Sequence, residues 1–321
     1  MLESFKRMSF KHKNSKMKYY AVNYARQLLP KNYFQHRLTK KLTTISQFDE
    51  HYIQYRVNYY NKLTDTRPLS EGATKLSDFR LKKKMKVYFF DAFEFTRYFS
   101  SKLSAFFCFG DVTYIPEQPS IVKSRPIEGN NSNSVILKLD KIRHFLFLHD
   151  PNAFQDKKNK LIGRAKINQI HRAHFMEMYF NHPMCDVGGV TKHCRYPQWQ
   201  RPRLTFDEQM KYKFILCLEG HDVATNLKWV MSSNSLAVMP KPVYETWFME
   251  GTLIPNYHYV QIKDDYSDLE ERMNYYIDHT DEALQIIEHA HEYIKPFKNK
   301  KQEDLISLLV FKKYLEKTGQ A

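Results

Sequence analysis

The feature that most constrains the fold is an alternation of apolar runs of strand length with helical patterns between residues 211 and 297. Strands are predicted over residues 212–219, 235–239 and 257–262, and helices over 222–231, over 244–250 and from 267 onward. Consecutive parallel strands cannot be joined by a tight turn, so this order predicts right-handed crossovers and a parallel sheet. The chain is therefore expected to be an α/β protein.

The turn after the first of these strands has the features of a phosphate site. Gly220 permits a turn, and Asp222 or Thr225 could cap the helix that follows. Unpaired backbone N–H groups and the positive end of the helix dipole would then face the same point, which suits a phosphate. Many α/β proteins contain a strand, a glycine and a helix in this order. The alternative that Gly220 only makes a connection therefore stays open.

A longer pattern makes this region more specific. Its pieces are residues 211–214, 218–228 with the sequence LEGHDVATNLK, 232–235, 244–248 and 258–270. Their order and spacing resemble the signature of glycosyltransferase family 90. The bacterial lipopolysaccharide A proteins of that family give the closer resemblance, which extends over most of the chain after about Leu76.

The resemblance implies a GT-B-like α/β architecture, with two Rossmann-like domains facing a cleft. The predicted parts are a basic, mostly helical region (1–80), an acceptor and catalytic domain (81–157), a nucleotide-sugar donor domain (158–296) and a C-terminal helix packing back on the first domain (297–321). The implied reaction is inverting transfer of a hexose or pentose from a nucleotide sugar to a lipopolysaccharide core or related surface glycan. UDP is the expected nucleotide, and neither a cofactor nor a metal ion is expected.

The resemblance also places donor binding on named residues. These are Arg164, Arg172, Gly220, Asp222, Val223, Ala224, Thr225, Lys228 and Glu245. The arginines match positions near the diphosphate, where a guanidinium can fork onto phosphate oxygens, and Glu245 matches a carboxylate that holds the ribose. The chain departs from the family by having Gly before Arg164, and by having Ala224 and Asn226 where many members have Ser and Arg. The alternative is that Arg164, Arg172 and Glu245 are ordinary surface residues with no role in binding.

Asp111 is the candidate catalytic base. It follows a predicted buried strand over residues 103–109, and the resemblance places a base at this point. A positioned carboxylate typically contributes a factor of roughly a hundred to ten thousand by taking the proton of the acceptor hydroxyl. A turn residue is the alternative, with Asp91 and Asp140 next in line as base. The acceptor-side candidates are Lys123, Ser124 and Arg125.

The positive charge indicates polyanionic partners. The net charge is +15, and residues 1–41 hold eleven basic residues against one acid, Glu3, with aromatic residues interleaved. This composition suits an anionic membrane surface, and a solvated tail is the alternative. Residues 1–20 contain no continuous apolar core typical of a secretory signal, so a cytoplasmic protein, peripheral on the inner membrane, is expected.

A group of histidines and cysteines lies between residues 171 and 194. His171, His174, Cys185 and Cys194 form an imaginable zinc set, with His182 and His193 nearby, but their spacing matches no finger or ribbon. A loop with incidental histidines is the preferred interpretation.

Two other function classes remain open at this point. A nucleic-acid-binding protein would also be basic, and it would bind DNA or RNA with strong salt dependence. A non-catalytic sugar-nucleotide-binding protein would bind UDP without transferring a sugar. The transferase interpretation is preferred, and it expects no nucleic acid as partner.

Overall fold

The computed structural model describes residues 12, 14–82, 85–191 and 195–320. Its internal contacts divide the chain into two compact units. Unit 1 comprises the described residues of 1–14, 144–242 and 252–295, and unit 2 comprises those of 15–143, 243–251 and 296–321. Each unit is assembled from separate stretches of the sequence. Unit 2 joins residues on both sides of position 80, where the sequence analysis placed a boundary.

The described residues form twelve α-helices and eleven strands. The helices are α1 (Lys16–Leu28), α2 (Lys31–Gln35), α3 (Leu38–Leu42), α4 (Glu50–Tyr60), α5 (Lys86–Thr96), α6 (Lys141–His144), α7 (Ile170–Tyr179), α8 (Phe206–Gln209), α9 (Leu227–Val230), α10 (Leu269–Asp278), α11 (Thr280–Lys298) and α12 (Lys300–Lys317). The strands are β1 (Thr74–Lys75), β2 (Ser104–Cys108), β3 (Ser120–Val122), β4 (Ser124–Pro126), β5 (Ser134–Ile136), β6 (Lys158–Ala165), β7 (Cys185–Gly189), β8 (Tyr212–Leu216), β9 (Leu236–Met239), β10 (Tyr244–Thr246) and β11 (Val260–Gln261).

Unit 1 is built on a five-stranded sheet in which every strand is parallel to its neighbours. The spatial order is β11, β9, β8, β6, β7. All five residues of the central strand β8 are buried, as expected for a strand covered on both faces. Its side chains join a core that also takes residues from α7, α10 and α11, including Phe175, Met273 and Ile286. The predicted parallel sheet and the α/β class are confirmed.

Unit 2 contains two smaller sheets and most of the helices. Strands β2, β3 and β5 are parallel, β1 pairs antiparallel with β2, and β4 and β10 form a separate antiparallel pair. The α12 residue Glu303 is buried. Its carboxylate accepts hydrogen bonds from Arg56 at 2.9 Å, Lys138 at 2.8 Å and the Trp247 indole at 2.6 Å. These bonds compensate the burial of charge and fix α12 against α4.

Two predictions of local structure are wrong. Of the helix expected over 222–231, only the four residues of α9 form. Before this helix the Asn226 side chain donates to the Leu216 carbonyl, and at its end serine hydroxyls donate to the last helical carbonyls. The helix expected over 244–250 is instead strand β10, paired with β4. The apolar run over residues 144–148 forms no strand, and the Leu148 N–H donates to a Ser232 hydroxyl at 2.8 Å.

Membrane spanning is a separate question from fold. Among the helices of the described residues, none combines the length and apolar composition needed to cross a bilayer.

Candidate active site

A cavity of about 220 Å³ lies at the carboxyl ends of β6 and β8 in unit 1. Open parallel sheets bind their ligands at this edge. The cavity walls come from the end of β6, from α7 and from the turn after β8. The lining residues are Gly163, Arg164, Ala165, Lys166, Ile167, Arg172, Met176, Leu216, Leu218, Thr225 and Asn226.

Arg172 on α7 holds the turn after β8 in place. Its Nε donates to the Glu219 carbonyl at 2.7 Å, its Nη2 donates to the Leu218 carbonyl at 2.7 Å, and its Nη1 donates to the Lys166 carbonyl at 2.9 Å. Burial lowers the pKa of Arg172 to about 10, so the side chain is charged at neutral pH. A guanidinium has five N–H donors. Two of them therefore remain beyond the three bonds made within the described chain.

Arg164 is anchored on the other wall of the cavity. Its Nη2 pairs with the Asp186 carboxylate at 2.7 Å, its Nη1 donates to the Asp186 carbonyl at 2.6 Å, and its Nε donates to the Pro202 carbonyl at 3.0 Å. Burial would raise the pKa of Asp186, but hydrogen bonds from Arg164 and Tyr212 outweigh it and lower that pKa. Arg164 is thus a fixed positive charge beside the cavity.

Gly163 explains why Gly precedes Arg164 in this chain. A Cβ built on Gly163 would lie 3.1 Å from the Cδ2 atom of Leu216 and 3.3 Å from the Cγ1 atom of Val187. Strand β6 lies between the strands that carry these two side chains. A side chain at this position would therefore crowd both neighbouring strands.

The turn from 217 to 226 differs from the expected phosphate cradle. The helix begins at Leu227, after the N–H groups of Val223 to Thr225, and it has four residues. Its dipole therefore cannot serve those N–H groups. The φ angle of Gly220 lies outside the left-handed region, so the turn does not depend on glycine.

The structure brings some of the predicted donor residues together. Arg164, Arg172 and Thr225 line the cavity, and a Cβ built on Gly220 would lie 3.5 Å from the Nη2 atom of Arg172. The remaining candidates in this turn and in α9 do not line the cavity and are buried. They are Asp222, Val223, Ala224 and Lys228.

Glu245 belongs to unit 2, whereas the other donor candidates belong to unit 1. On β10 it stands opposite Arg125 of β4 and accepts a hydrogen bond from the Arg125 Nε at 2.8 Å. The Tyr59 hydroxyl also donates to it, and Arg125 donates to the Tyr59 carbonyl at 2.7 Å. Glu245 and Arg125 therefore form a buried ion pair that joins β4, β10 and α4.

Asp111 follows β2, one residue after Gly110, whose φ of +122° is in the region that favours glycine. Its carboxylate is ion-paired with Lys123, the residue after β3, and the Tyr88 hydroxyl lies 3.5 Å away. The Lys123 side chain is 2% exposed and the Asp111 side chain 32% exposed. A buried cation thus holds an accessible carboxylate at the carboxyl ends of parallel strands.

The two other aspartates considered as bases are less accessible. Asp91 is fully buried, and it accepts hydrogen bonds from the Tyr19 hydroxyl at 2.7 Å and from the Lys141 N–H at 2.9 Å. Burial raises its pKa. Asp140 is also buried, and burial raises its pKa to about 6 despite the nearby Arg143. Asp111 is the aspartate of the three that solvent reaches most.

Ser124 is structural in this setting. Its hydroxyl donates to the Val112 carbonyl at 3.0 Å and accepts from the Val112 N–H at 3.1 Å, which fixes the loop that follows Asp111.

Comparison with known proteins identifies the family of this chain. The model described as Glycosyl transferase family 90 matches residues 163–314. The O-glucosyltransferase LpsA of Dichelobacter nodosus is 44% identical over 262 residues, which cover 82% of this chain and 82% of that protein. The chain belongs to glycosyltransferase family 90. The Uncharacterized protein 179R of Invertebrate iridescent virus 6 is 31% identical over 101 residues, which cover 29% of this chain and 8% of that protein.

The extent of the family 90 match has a consequence for the two sets of candidates. It begins at Gly163 and takes in Arg164, Arg172 and the turn after β8. Asp111 lies before its first residue. The cavity therefore lies within the matched part of this glycosyltransferase, whereas the assignment of Asp111 depends on its geometry and on the resemblance noted from the sequence.

Sequence reasoning missed Asp186, which fixes Arg164. The residue follows Cys185 at the start of a short strand that shows no strong pattern of its own. Only the pairing of β6 with β7 brings the two side chains together. No signal in the spacing could have identified this pair.

The possible zinc set is not assembled within the described residues, where no group of three or more His, Cys, Asp or Glu side chains could hold a metal ion. His193 and Cys194 lie outside the described residues. Burial raises the pKa of the Cys185 thiol to about 12, so the thiol is protonated at neutral pH.

We expect Gly163→Ala to lower the free energy of unfolding by about 1–3 kcal/mol, because its methyl group would be forced against Leu216 and Val187. Gly220→Ala is the matched control. Its new Cβ meets Arg172 at ordinary contact distance, and the expected change is within about 1 kcal/mol. Urea unfolding followed by circular dichroism measures both. Equal losses in the two variants would contradict the close packing assigned to β6.

Proposed function

We propose that this family 90 protein is an inverting glycosyltransferase that moves a hexose or pentose from a UDP-linked sugar to a lipopolysaccharide core or related surface glycan. The observation that carries the proposal is the cavity at the carboxyl edge of the parallel sheet, with the fixed cations Arg164 and Arg172 in its wall. The name of the Dichelobacter nodosus relative, an O-glucosyltransferase, makes glucose the first sugar to test.

The proposal assigns the donor to unit 1 and the acceptor and the base to unit 2, as the two Rossmann-like domains of a GT-B arrangement. The two remaining N–H donors of Arg172 suit the oxygens of a diphosphate. Together with Arg164 they would offset the charge that grows on the departing nucleotide, so the proposed reaction requires no metal ion.

The chemical step forms one bond at the anomeric carbon and breaks another. The acceptor hydroxyl oxygen attacks that carbon while Asp111 takes the hydroxyl proton. The bond from the anomeric carbon to the diphosphate oxygen breaks, and the nucleotide leaves from the opposite face with the electron pair. The configuration at the anomeric carbon is therefore inverted. Lys123, buried against Asp111, would hold the carboxylate in position.

UDP is expected to stabilise the protein. At a hundred times its dissociation constant, the gain is about 2.7 kcal/mol, measurable as a shift in thermal unfolding. Arg172→Lys keeps the charge but cannot span the Glu219 and Leu218 carbonyls, so UDP affinity should fall about tenfold or more. Arg272→Lys is the control, since Arg272 of α10 pairs with Asp268, the residue before that helix, and does not line the cavity.

The absence of any UDP effect on the unaltered protein would contradict donor binding. Tight, salt-sensitive binding of DNA or RNA in the same samples would then favour the nucleic-acid alternative.

Asp111→Asn is expected to fold normally, to bind UDP and to lose sugar transfer by a factor of roughly a hundred to ten thousand. Release of UDP from UDP-glucose in the presence of lipopolysaccharide core measures the rate. Asp65→Asn, at an exposed position of the same unit, should leave the rate unchanged. Retained activity in the Asp111 variant would reassign the base, and Asp140→Asn is the next variant to test. UDP binding without transfer by the unaltered protein would instead indicate a sugar-nucleotide sensor.

The proposal also includes peripheral attachment to an anionic membrane. Helix α1 exposes Met17 at 84%, between the basic residues Lys16 and Lys18, and Leu28 at 86% at its last position. Apolar and basic groups on one surface helix suit the interface of a bilayer. The more N-terminal basic residues, at positions 6, 7, 11 and 13, lie outside the described residues.

The double variant Met17→Ser/Leu28→Ser should sediment less with phosphatidylcholine vesicles that contain phosphatidylglycerol, because the exposed apolar groups are removed while the charge is kept. Met85→Ser, which removes an exposed apolar side chain outside α1, is the control. Equal sedimentation of both variants and the unaltered protein would remove α1 from the proposal.

A further inference from the structure

Unit 2 contains a second cavity, of about 180 Å³, formed by side chains from α1, α3, the end of α5 and the start of α12. None of its residues belongs to the candidate active site. Four cationic side chains line it: Arg26, Lys41, Arg97 and Lys300. Two carboxylates, Glu94 and Asp304, line it as well.

Arg97 is the unusual member of this group. It is 6% exposed, and its guanidinium lies over the Phe34 ring, 3.7 Å from the ring centroid. Its Nε and Nη1 atoms are buried and have no hydrogen-bond partner among the residues that the structure describes. Burial lowers the pKa of Arg97, and Arg26 acts in the same direction. Burying a cation without acceptors is costly, and an anion in the cavity beside Arg97 would offset part of this cost by electrostatic attraction to its charge.

The two carboxylates do not neutralise Arg97. Glu94 pairs with Arg26 at 2.8 Å and with Lys141, and Asp304 pairs with Lys300. Within the described part of the chain, neither Arg97 nor Lys41 forms an ion pair. The cavity therefore carries two positive charges that its own carboxylates leave unmatched.

The size and charge of the cavity favour one chemical class. Its volume exceeds by several fold the share of about 30 Å³ that a water molecule takes in the liquid, which leaves room for a small polyatomic anion. A phosphomonoester carries a charge of about −1.5 to −2 near neutral pH and three acceptor oxygens. Guanidinium and ammonium groups are the usual protein partners of such a group.

We propose that this cavity, with Arg97 at its base and Lys41 and Lys300 at its rim, binds a phosphomonoester group. The group is carried either by a soluble molecule or by the headgroup of a lipid. The site lies outside the donor cavity, and the proposal does not depend on the transferase reaction.

The test compares two double variants of equal net charge. Lys41→Gln/Lys300→Gln removes the two exposed cations of the cavity. Lys40→Gln/Lys312→Gln is the matched control, because Lys40 is the neighbour of Lys41 on α3 and Lys312 forms an ion pair with Glu316 that mirrors Lys300 with Asp304. Isothermal titration calorimetry with inorganic phosphate is the soluble arm. Sedimentation with phosphatidylcholine vesicles containing phosphatidic acid, compared with phosphatidylglycerol, is the lipid arm.

The cavity variant should bind phosphate about tenfold more weakly than the control variant. Alternatively, its preference for phosphatidic acid over phosphatidylglycerol should be about tenfold smaller than that of the control variant. Loss in the calorimetric arm identifies a soluble ligand, and loss confined to the vesicle arm identifies a lipid headgroup. Any phosphate binding near Arg172 in unit 1 is the same in both variants, so the difference between their affinities reports the second cavity alone. Equal binding by the two variants in both arms, or no binding of either probe by the unaltered protein, would overturn the proposal.

Discussion

The packing of β6 between its two neighbours is the constraint on which unit 1 depends. At Gly163, the Cδ2 atom of Leu216 and the Cγ1 atom of Val187 lie 3.1 Å and 3.3 Å from the place that a Cβ would take. The register of β6 and β7 places Arg164 beside Gly188 of β7 and next to the cavity. The glycine that departs from the family order is therefore accounted for by the packing of β6, and Asp186 holds the arginine that follows it.

Polar contacts then give the cavity its shape. Arg172 bonds to three backbone carbonyls, and Arg164 is held by both the carboxylate and the carbonyl of Asp186. Each arginine is thus largely fixed before any ligand arrives, which reduces the conformational entropy lost on binding. Arg125 and Glu245 show the same pairing in unit 2, where the ion pair joins a strand that is distant in sequence to β4. In this protein, these charged residues hold backbone segments in place.

Long periodic segments were predictable from the sequence, and short ones were not. The strands β8 and β9 and the helices α10 to α12 carry enough apolar positions at regular spacing to be predicted. The segment 244–250 is too short for periodicity, and the opposite charge of Arg125 across the strand pair decided its conformation. Residues 222–226 failed to form a helix because the Asn226 side chain bonds to the Leu216 carbonyl.

The sequence by itself determined the α/β class, the parallel sheet of unit 1 and the family, because these follow from local periodicity and from motifs of fixed spacing. It also pointed to Arg164 and Arg172. Only the tertiary structure decided that Asp186 holds Arg164, that Glu245 is paired with Arg125, and that Arg97 lines a second cavity. Contacts between residues far apart in the chain depend on strand pairing and burial, and a linear pattern carries no record of either.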